Sequence, residues 1–120
     1  MAKYQDEGTF IQKTWALGHW RARKVTVKAG AGKLDEATVL GKIDVDGKYI
    51  KSLKAATDGS QTPDAILAAA VDATSVDVEA IVFIAGEFDQ QVLILGTGHT
   101  LGSVDAVFRT KSIWLVKPMG

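Results

Sequence analysis

The sequence is short of the residues that build covalent cross-links and most catalytic sites. Its 120 residues contain no cysteine, two prolines and two histidines, so disulfides and thiolate metal sites are excluded. No apolar run is long enough to span a membrane, and the start lacks the basic, apolar and small-residue pattern of a signal peptide. We therefore expect one soluble domain that is not exported and that is stabilised by packing or by association.

Positive charge is missing from the middle of the chain. Residues 55–108 contain no lysine or arginine but eight acidic residues, whereas residues 1–54 and 109–120 carry net charges of +5 and +3. This separation either orients a partner or a neighbouring copy, or is neutralised within one fold. Nucleic-acid binding is disfavoured, because the net charge is zero and there is one small basic cluster. That cluster consists of Arg21, Arg23, Lys24 and Lys28.

Alternating and β-branched segments predict a mainly β (α+β) fold, a small β-rich single domain. Val76–Ala85 alternates and then becomes solidly apolar, so it is expected to be a central strand. The other predicted strands are Arg23–Ala29, Thr38–Val45, Lys48–Ile50, Ala65–Val71 and Ser112–Val116, the last ended by Pro118. Turns are predicted where glycine and short oxygen-bearing side chains cluster. They are Asp58–Ser60, Val71–Ser75 and Gly86–Asp89.

One helix is predicted, over Leu101–Lys111. Ser103 is its candidate N-cap, and its last turn is basic, as the helix dipole favours. Gln90–Leu95 has two readings: a strand, or a short helical turn capped by Asp89 and followed by a strand. Gly41, inside a predicted strand, indicates a bulge or a close approach of another backbone segment.

No catalytic or metal-binding motif stands out. His99 lies in a glycine-rich loop without a nucleophile elbow, so its expected role is hydrogen bonding. Asp44–Gly47 resembles the start of a calcium loop, but the closing bidentate glutamate is missing and a hairpin turn is predicted instead. A glycosidase pair would need two of Glu79, Glu87 and Asp89 to flank one cleft. We therefore expect no enzyme activity, no cofactor and no metal.

The first twenty residues show no clear periodicity of two or 3.6. They nevertheless hold Trp15 and Trp20, two of the three tryptophans. Aromatic residues in a terminal arm either anchor a partner or cover the domain's own core, and the anchoring interpretation is favoured. Tyr49 and Trp114 are interpreted as core residues.

Several short strings stand in a fixed order along the chain. They are Thr38–Ile43, Gly47–Tyr49, Ala55–Gln61, Ala65–Leu67, Val71–Thr74, Gly86–Phe88 and Leu95–Thr100. Together they resemble the head decoration (capsid-stabilising) proteins of lambda-like tailed phages, over about Val25 to Val116. The resemblance implies a β-tulip-like domain with one or two short helices and an extended N-terminal arm.

The resemblance also implies a function, that of a structural virion protein. Such a protein binds the major capsid protein on the outer surface of an expanded icosahedral shell, as homotrimers at three-fold and quasi-three-fold positions, and stabilises the shell against internal DNA pressure. It implies a capsid-docking arm over residues 1–22, which is mobile in the free protein and becomes ordered on the shell. It also implies a decoration domain over residues 23–120. No nucleic-acid or membrane partner is implied.

The arm is where we predict the capsid contact. The predicted contact residues are Phe10, Ile11, Thr14, Trp15, Trp20, Arg21 and Arg23. Arg109 and Lys111 are hypothesised to meet the acidic middle segment of a neighbouring copy. Two other functions stay open: a small β-barrel ligand-binding module, which needs a concave pocket containing Tyr49 or Trp114, and a hydrolase whose paired carboxylates face one cleft.

Overall fold

The computed structural model describes residues 14–117. The fold is mainly β, with 46% of residues in strands and 13% in helical elements, as predicted. The strands are β1 (Ala16–Val27), β2 (Gly32–Leu34), β3 (Val39–Lys42), β4 (Tyr49–Lys51), β5 (Pro63–Leu67), β6 (Val71–Ala73), β7 (Val78–Asp89) and β8 (Ile113–Val116). The helical elements are the α-helix α1 (Leu101–Phe108) and two 3-10 helices (Gln90–Val92 and Arg109–Lys111).

Five strands close into a small barrel. β1 pairs with β4 on one side and with β7 on the other, while β3 joins β4 to β5 and β5 joins β7. The neighbours are antiparallel except β1 and β4, which meet in parallel where Val27 lies opposite Tyr49. β2 and β6 form a separate two-stranded ladder. In the closed barrel each of the five strands has a neighbouring strand on both sides.

The two longest strands, β1 and β7, form a ribbon that extends beyond the barrel. Its register runs from Val27 opposite Val78 to Ala16 opposite Phe88. Near the barrel the other neighbour of β7 is β5, but farther along it is β8, which runs parallel to β7. We call the three-stranded part formed by Ala16–Arg21, Gly86–Asp89 and β8 the distal sheet.

The ribbon bends where it leaves the barrel. β1 shifts its register three times between Ala16 and Ala22, and His19 has a φ of +50°. On β7, Gly86 has a φ of +131°, and a Cβ there would lie 2.6 Å from the Cα of Trp20. A glycine is needed at that position because β1 passes so closely over it. The predicted turn at Gly86–Asp89 is therefore wrong: the glycine bends a strand that continues.

One set of apolar side chains fills the barrel interior, and we call it the inner core. It draws residues from all five barrel strands, as expected when alternate side chains point into a closed ring. Its members on those strands are Val25, Val27, Leu40, Tyr49, Ala65, Leu67, Ala80 and Val82. Leu34 of β2 and Ala73 of β6 also belong to it, so the small ladder packs on the same interior.

A second set, the outer core, lies on the other face of the barrel strands and extends under the distal sheet. Phe83 and Phe88 of β7 contribute to it, as do Val104 and Phe108 of α1. Its remaining buried members are Trp15, Ala37, Val39, Ile66, Ala68 and Ile113. The helix and the distal sheet therefore cover one side of the barrel.

Helix α1 begins at a capping box. The hydroxyl of Thr100 accepts a hydrogen bond from the amide of Ser103 at 3.2 Å, and the Thr100 amide donates to the Ser103 hydroxyl at 3.0 Å. The predicted N-cap, Ser103, is wrong because it is the third helical residue of that box. The α-helix ends at Phe108, and a 3-10 turn continues to Lys111, the predicted last residue.

The six predicted strands are confirmed as β1, β3, β4, β5, β7 and β8, with shorter bounds for β3, β5 and β8 and longer ones for β1 and β7. β7 is central as predicted because it pairs with β1, β5 and β8. The strand predicted to start at Arg23 starts at Ala16, so the predicted boundary between residues 22 and 23 lies inside β1. β2 was not predicted, and β6 lies within the predicted turn Val71–Ser75. After Asp89 the predicted helical turn and its cap are confirmed, since the Asp89 carboxylate accepts from the Gln91 amide at 2.9 Å. The strand predicted to follow it is reduced to a single β-bridge between Ile94 and Thr38. Pro118 lies outside the described residues.

Tyr49 connects the inner core to a charged pair at the barrel surface. Its side chain is buried, and its hydroxyl donates to Asp64 Oδ2 at 2.7 Å, while Lys111 Nζ lies 3.1 Å from Asp64 Oδ1. Burial, followed by the bond to Asp64 and the charge of that carboxylate, raises the pKa of Tyr49 to about 12.

This raised pKa predicts a specific alkaline response of stability. A group whose folded pKa exceeds its unfolded value of 10.0 stabilises the fold fully below pH 10 and loses that contribution between pH 10 and about 12. We expect the unfolding free energy of the wild type to fall in that window by up to about 2 kcal/mol relative to Tyr49→Phe. Urea titrations of both proteins from pH 8 to pH 12 measure the difference. Parallel pH curves would contradict it.

Candidate functional site

Both ends of the described chain lie at one end of the molecule. The amide of Asp89 donates to the carbonyl of Trp15 at 2.9 Å, which places the start of β1 beside the end of β7. On the other side of β7, Asp89 lies opposite Val116, the last residue of β8. Residues 1–13 and 118–120 therefore join the fold on either side of Asp89. We call this region the arm end.

The structure places the predicted contact residues in different environments. Phe10 and Ile11 lie outside the described residues. Thr14, Arg21 and Arg23 are exposed, the last two on β1. Thr14 and Arg21 are open to a partner beside or within the distal sheet, whereas Arg23 lies farther along β1, opposite Val82 of the barrel.

The two tryptophans of the predicted arm pack on the protein's own outer core. Trp15 is 5% exposed and Trp20 is half-buried. Their rings meet Phe83 edge-on, with centroids 5.4 and 5.6 Å away, and the indole N–H of Trp15 donates to Glu36 at 3.1 Å. This packing agrees with the second interpretation of the two tryptophans, in which they cover the domain's own core. Their part in capsid binding stays a prediction.

The distal sheet exposes apolar side chains on the face turned away from the outer core. Trp114 is 48% exposed, Leu17 is 43% exposed and Val116 is 36% exposed. Glu87 lies between β1 and β8, opposite both Gly18 and Trp114. The interpretation of Trp114 as a core residue is therefore wrong. Ile113 and Leu115 face the outer core in its place.

The charge separation in the sequence is neutralised in part within the fold, because four of the eight acidic residues of the middle segment pair with lysine or arginine of the flanking segments. Basic residues of the first segment pair with acidic residues of the middle segment, as in Lys48 with Asp77 at 2.6 Å and Lys24 with Glu79 at 3.5 Å. Arg109 and Lys111 also have partners in the same chain, Asp105 at 3.0 Å and Asp64 at 3.1 Å. A contact of Arg109 and Lys111 with a neighbouring copy would therefore compete with these two ion pairs within the chain.

Two ion pairs, Lys28 with Asp46 and Lys48 with Asp77, hold the loops at the end of the β1–β7 ribbon opposite the arm end. The amide of Lys48 and then the ammonium of Lys28 hold the pKa of Asp46 below its usual value. The ammonium of Lys48 and then the amide of Ala29 do the same for the pKa of Asp77. Because these folded pKa values are lowered, the stabilisation is present above pH 4 and is lost as the pH falls through them.

His99 joins two loops and the first turn of α1 by hydrogen bonds, as predicted. Its Nε2 lies 3.0 Å from the carbonyl oxygen of Gln61 and 3.2 Å from the hydroxyl of Ser52, and its Nδ1 lies 3.0 Å from the hydroxyl of Ser103. Since a carbonyl can only accept, Nε2 carries a proton. None of these three partners is a carboxylate, so the ring lacks the orienting acid of a triad.

The surface cavities are shallow and small. Three of about 280, 380 and 290 Å³ are lined respectively by residues around Lys24 and Glu79, around Lys28 and Leu53, and around Lys42 and Asp64. Neither Tyr49 nor Trp114 lines any of these three, so they do not match the pocket expected of the ligand-binding alternative. Glu79, Glu87 and Asp89 are engaged with Lys24, His19 and the Gln91 amide.

Residues 14–117 contain neither a clustered set of metal ligands nor a membrane-spanning helix. No group of three or more His, Asp or Glu side chains there is arranged to hold a metal ion. No helix in the same range is long and apolar enough to cross a membrane.

Comparison with known families decides the identity. The family model of the bacteriophage lambda head decoration protein D matches residues 9–111, most of the chain. The chain belongs to this family. No curated protein matches it. As a head decoration protein it is a structural component of a phage capsid, and its implied partner is the major capsid protein.

Within this decoration protein, sequence reasoning missed the exposed apolar residues of the distal sheet. Trp114 was misread because an apolar string such as 113–116 does not say which alternate residues face the core. The available signal was its position at the end of the chain, since a short final strand is often an edge strand with one solvated face. Leu17 was missed because the start of β1 has no clear alternation across its register shifts.

Proposed function

We propose that this protein binds the exterior of an expanded icosahedral phage capsid through its arm end and stabilises the shell against the pressure of packaged DNA. The proposed assembly is a homotrimer seated at three-fold and quasi-three-fold positions. The observation that carries the proposal is the family match across residues 9–111. The exit of both chain termini beside Asp89 supports the arm end as the capsid-facing side.

The proposed contact combines the terminal arm with exposed residues of the fold. Phe10 and Ile11 supply apolar side chains, and Thr14, Arg21 and Arg23 supply a polar flank. Repeated attachment around a trimer lets individually weak arms bind well together. Trp15 and Trp20 support the contact by fixing the start of β1 on the outer core, from which the arm departs.

A deletion tests the role of the arm. Removing residues 2–13 should leave the melting temperature close to that of the wild type, because β1 and Trp15 are retained, and should abolish measurable binding to expanded shells. Deletion as far as residue 22 would be unsuitable, because it removes Trp15 and the first seven residues of β1. Co-sedimentation with expanded shells lacking decoration protein measures binding. Deletion of residues 118–120 at the other terminus is the control.

Two outcomes would contradict the proposal. Binding of the residue 2–13 deletion with wild-type affinity would remove the arm from the contact. Failure of the wild type itself to bind expanded shells would overturn the proposed function as a whole. A separate native mass measurement tests assembly: three chains of 12.8 kDa per particle are expected, on the shell or in solution, and a stable dimer would contradict a trimeric assembly.

A further inference from the structure

β8 is one of the two edge strands of the distal sheet. It pairs with β7 on one side, and within residues 14–117 no strand pairs with its other side. The carbonyl of Ser112 accepts from the Gly86 amide at 3.0 Å, and backbone groups of a strand alternate between its two neighbours. The N–H and C=O groups of Ile113 and Leu115 therefore point to the edge that lacks a strand partner in the described fold.

This edge lacks the usual features that prevent strand pairing. Natural edge strands are blunted by lysine, proline, inward-pointing charges or bulges. Ile113–Val116 contains no charged residue and no proline, and it pairs with β7 in an uninterrupted register. Its exposed side chains are Trp114 and Val116, and tryptophan is the residue most enriched among strong interface contacts. The sequence and the position of β8 both favour pairing with a partner strand.

The β8 edge is continuous with the arm end. Val116 lies opposite Asp89, whose amide binds the carbonyl of Trp15, so β8 and the point where the arm departs are separated by the single strand β7. Thirteen residues precede Thr14 at this site. A partner that binds the arm here also lies beside β8.

We propose that the β8 edge binds an extended segment of the major capsid protein by strand pairing, with Trp114 and Val116 as its side-chain contacts. This proposal rests on the proposed function. Strand addition gives affinity through main-chain hydrogen bonds and specificity through alternate side chains. Here the backbone groups come from Ile113 and Leu115, and the outward side chains from Trp114 and Val116.

A second copy of the chain is a poorer fit to this edge. Pairing of β8 with β8 of another copy is self-complementary and closes as a dimer, which conflicts with a three-fold assembly. Head-to-tail pairing of β8 with the other edge of the distal sheet, Ala16–Arg21 of β1, is also disfavoured, because β1 shifts its register three times between Ala16 and Ala22 and does not offer a regular ladder. A partner that supplies its own extended segment meets neither obstacle.

Matched substitutions at the two ends of the β1–β7 ribbon test the proposal in the full chain. Val116→Lys places a charge on the β8 edge, and Trp114→Ala removes the aromatic contact. Val76→Lys is the control, because Val76 is 62% exposed beside the start of β7, at the far end of the ribbon. We expect Val116→Lys and Trp114→Ala to weaken binding to expanded shells by about tenfold or more, and Val76→Lys to bind like the wild type. All three should melt close to the wild type, because each side chain is exposed.

Hydrogen exchange distinguishes strand pairing from a side-chain contact alone. On shell-bound wild type, the amides of Ile113 and Leu115 should exchange at least about tenfold more slowly than in the free protein, whereas the amide of Val76 should be unchanged. Unchanged exchange at Ile113 and Leu115 would overturn strand pairing. Protection that is already present in the free protein and is lost on deletion of residues 2–13 would assign the edge to the chain's own arm and also overturn the proposal.

The two proposals fail in different ways. If wild type binds expanded shells and Val116→Lys and Trp114→Ala bind equally well, the β8 inference falls and the proposed function stands. If wild type does not bind, the proposed function falls and the β8 inference falls with it.

Discussion

Replacing Phe83 by alanine should lower the free energy of unfolding by about 3–5 kcal/mol, the usual cost of truncating a fully buried phenylalanine. Phe83 has no exposed surface and lies at the centre of the outer core. Its ring centroid is 5.4 Å from that of Trp15, 5.6 Å from that of Trp20 and 5.1 Å from that of Phe88. Truncation removes one partner from each of these aromatic pairs and leaves a cavity under the distal sheet.

Such a loss is a large share of the total stability of a domain of this size, which is about 5–15 kcal/mol. Urea unfolding followed by tryptophan fluorescence measures the loss, because Trp15 and Trp20 both contact the altered position. Phe83→Leu is the control and should cost clearly less, since it retains most of the buried volume. A loss below about 1 kcal/mol for the alanine variant would show that the outer core closes around the cavity.

The distal sheet shows which parts of this fold local sequence can predict. The prediction of a strand over Val76–Ala85 finds most of β7, because the alternating residues of this segment face the inner and outer cores on the two sides of the strand. Gly86–Asp89 was not recognised, because glycine and acidic residues indicate a turn when read alone. There the strand is maintained by β1 and β8, which flank it from distant parts of the chain. Non-local pairing overrides local propensity at this point.

The same limit applies to the candidate site. Exposed Thr14, Arg21 and Arg23 could be proposed from the sequence because an arm was expected at that end. The inward packing of Trp15 could not, since it depends on Phe83 and Phe88, about seventy residues later in the chain. Burial of Trp15 also determines how a substitution of this residue is interpreted. We expect Trp15→Ala to lower the stability of the fold, so this substitution does not isolate a loss of capsid contact.

Replacing Gly41 by alanine should strongly destabilise the fold. Gly41 lies in β3, opposite Ile50 of β4, at the register shift between β3 and β5. A Cβ at this position would lie 2.0 Å from the carbonyl oxygen of Ser60 and 2.6 Å from its carbonyl carbon. Both contacts are with backbone atoms, so no side-chain rotation relieves them.

The Ser60 backbone cannot move away without breaking its own turn. The Asp58 carboxylate accepts from the amide of Ser60 at 3.0 Å and from its hydroxyl at 2.5 Å. Ser60 is fully buried, and Gly59 holds a φ of +105° in the same turn. Overpacking a core position costs about 1–3 kcal/mol and occasionally more. Because the Gly41→Ala clash is with backbone atoms that are held in place, we expect it to cost about 3 kcal/mol or more.

Gly102→Ala is the matched control for Gly41→Ala, since both substitutions add one methyl group to a glycine and differ only in where they add it. Gly102 lies in α1, and the nearest atom to an added Cβ is the Thr100 hydroxyl at 3.8 Å. In a helix, alanine is favoured over glycine by about 0.8–1 kcal/mol. We therefore expect opposite signs: Gly102→Ala should raise the melting temperature by a few degrees, and Gly41→Ala should lower it by about 15 °C or leave no folded protein. Melting of Gly41→Ala within about 4 °C of the wild type would mean that the Asp58–Ser60 turn can move off β3 at little cost.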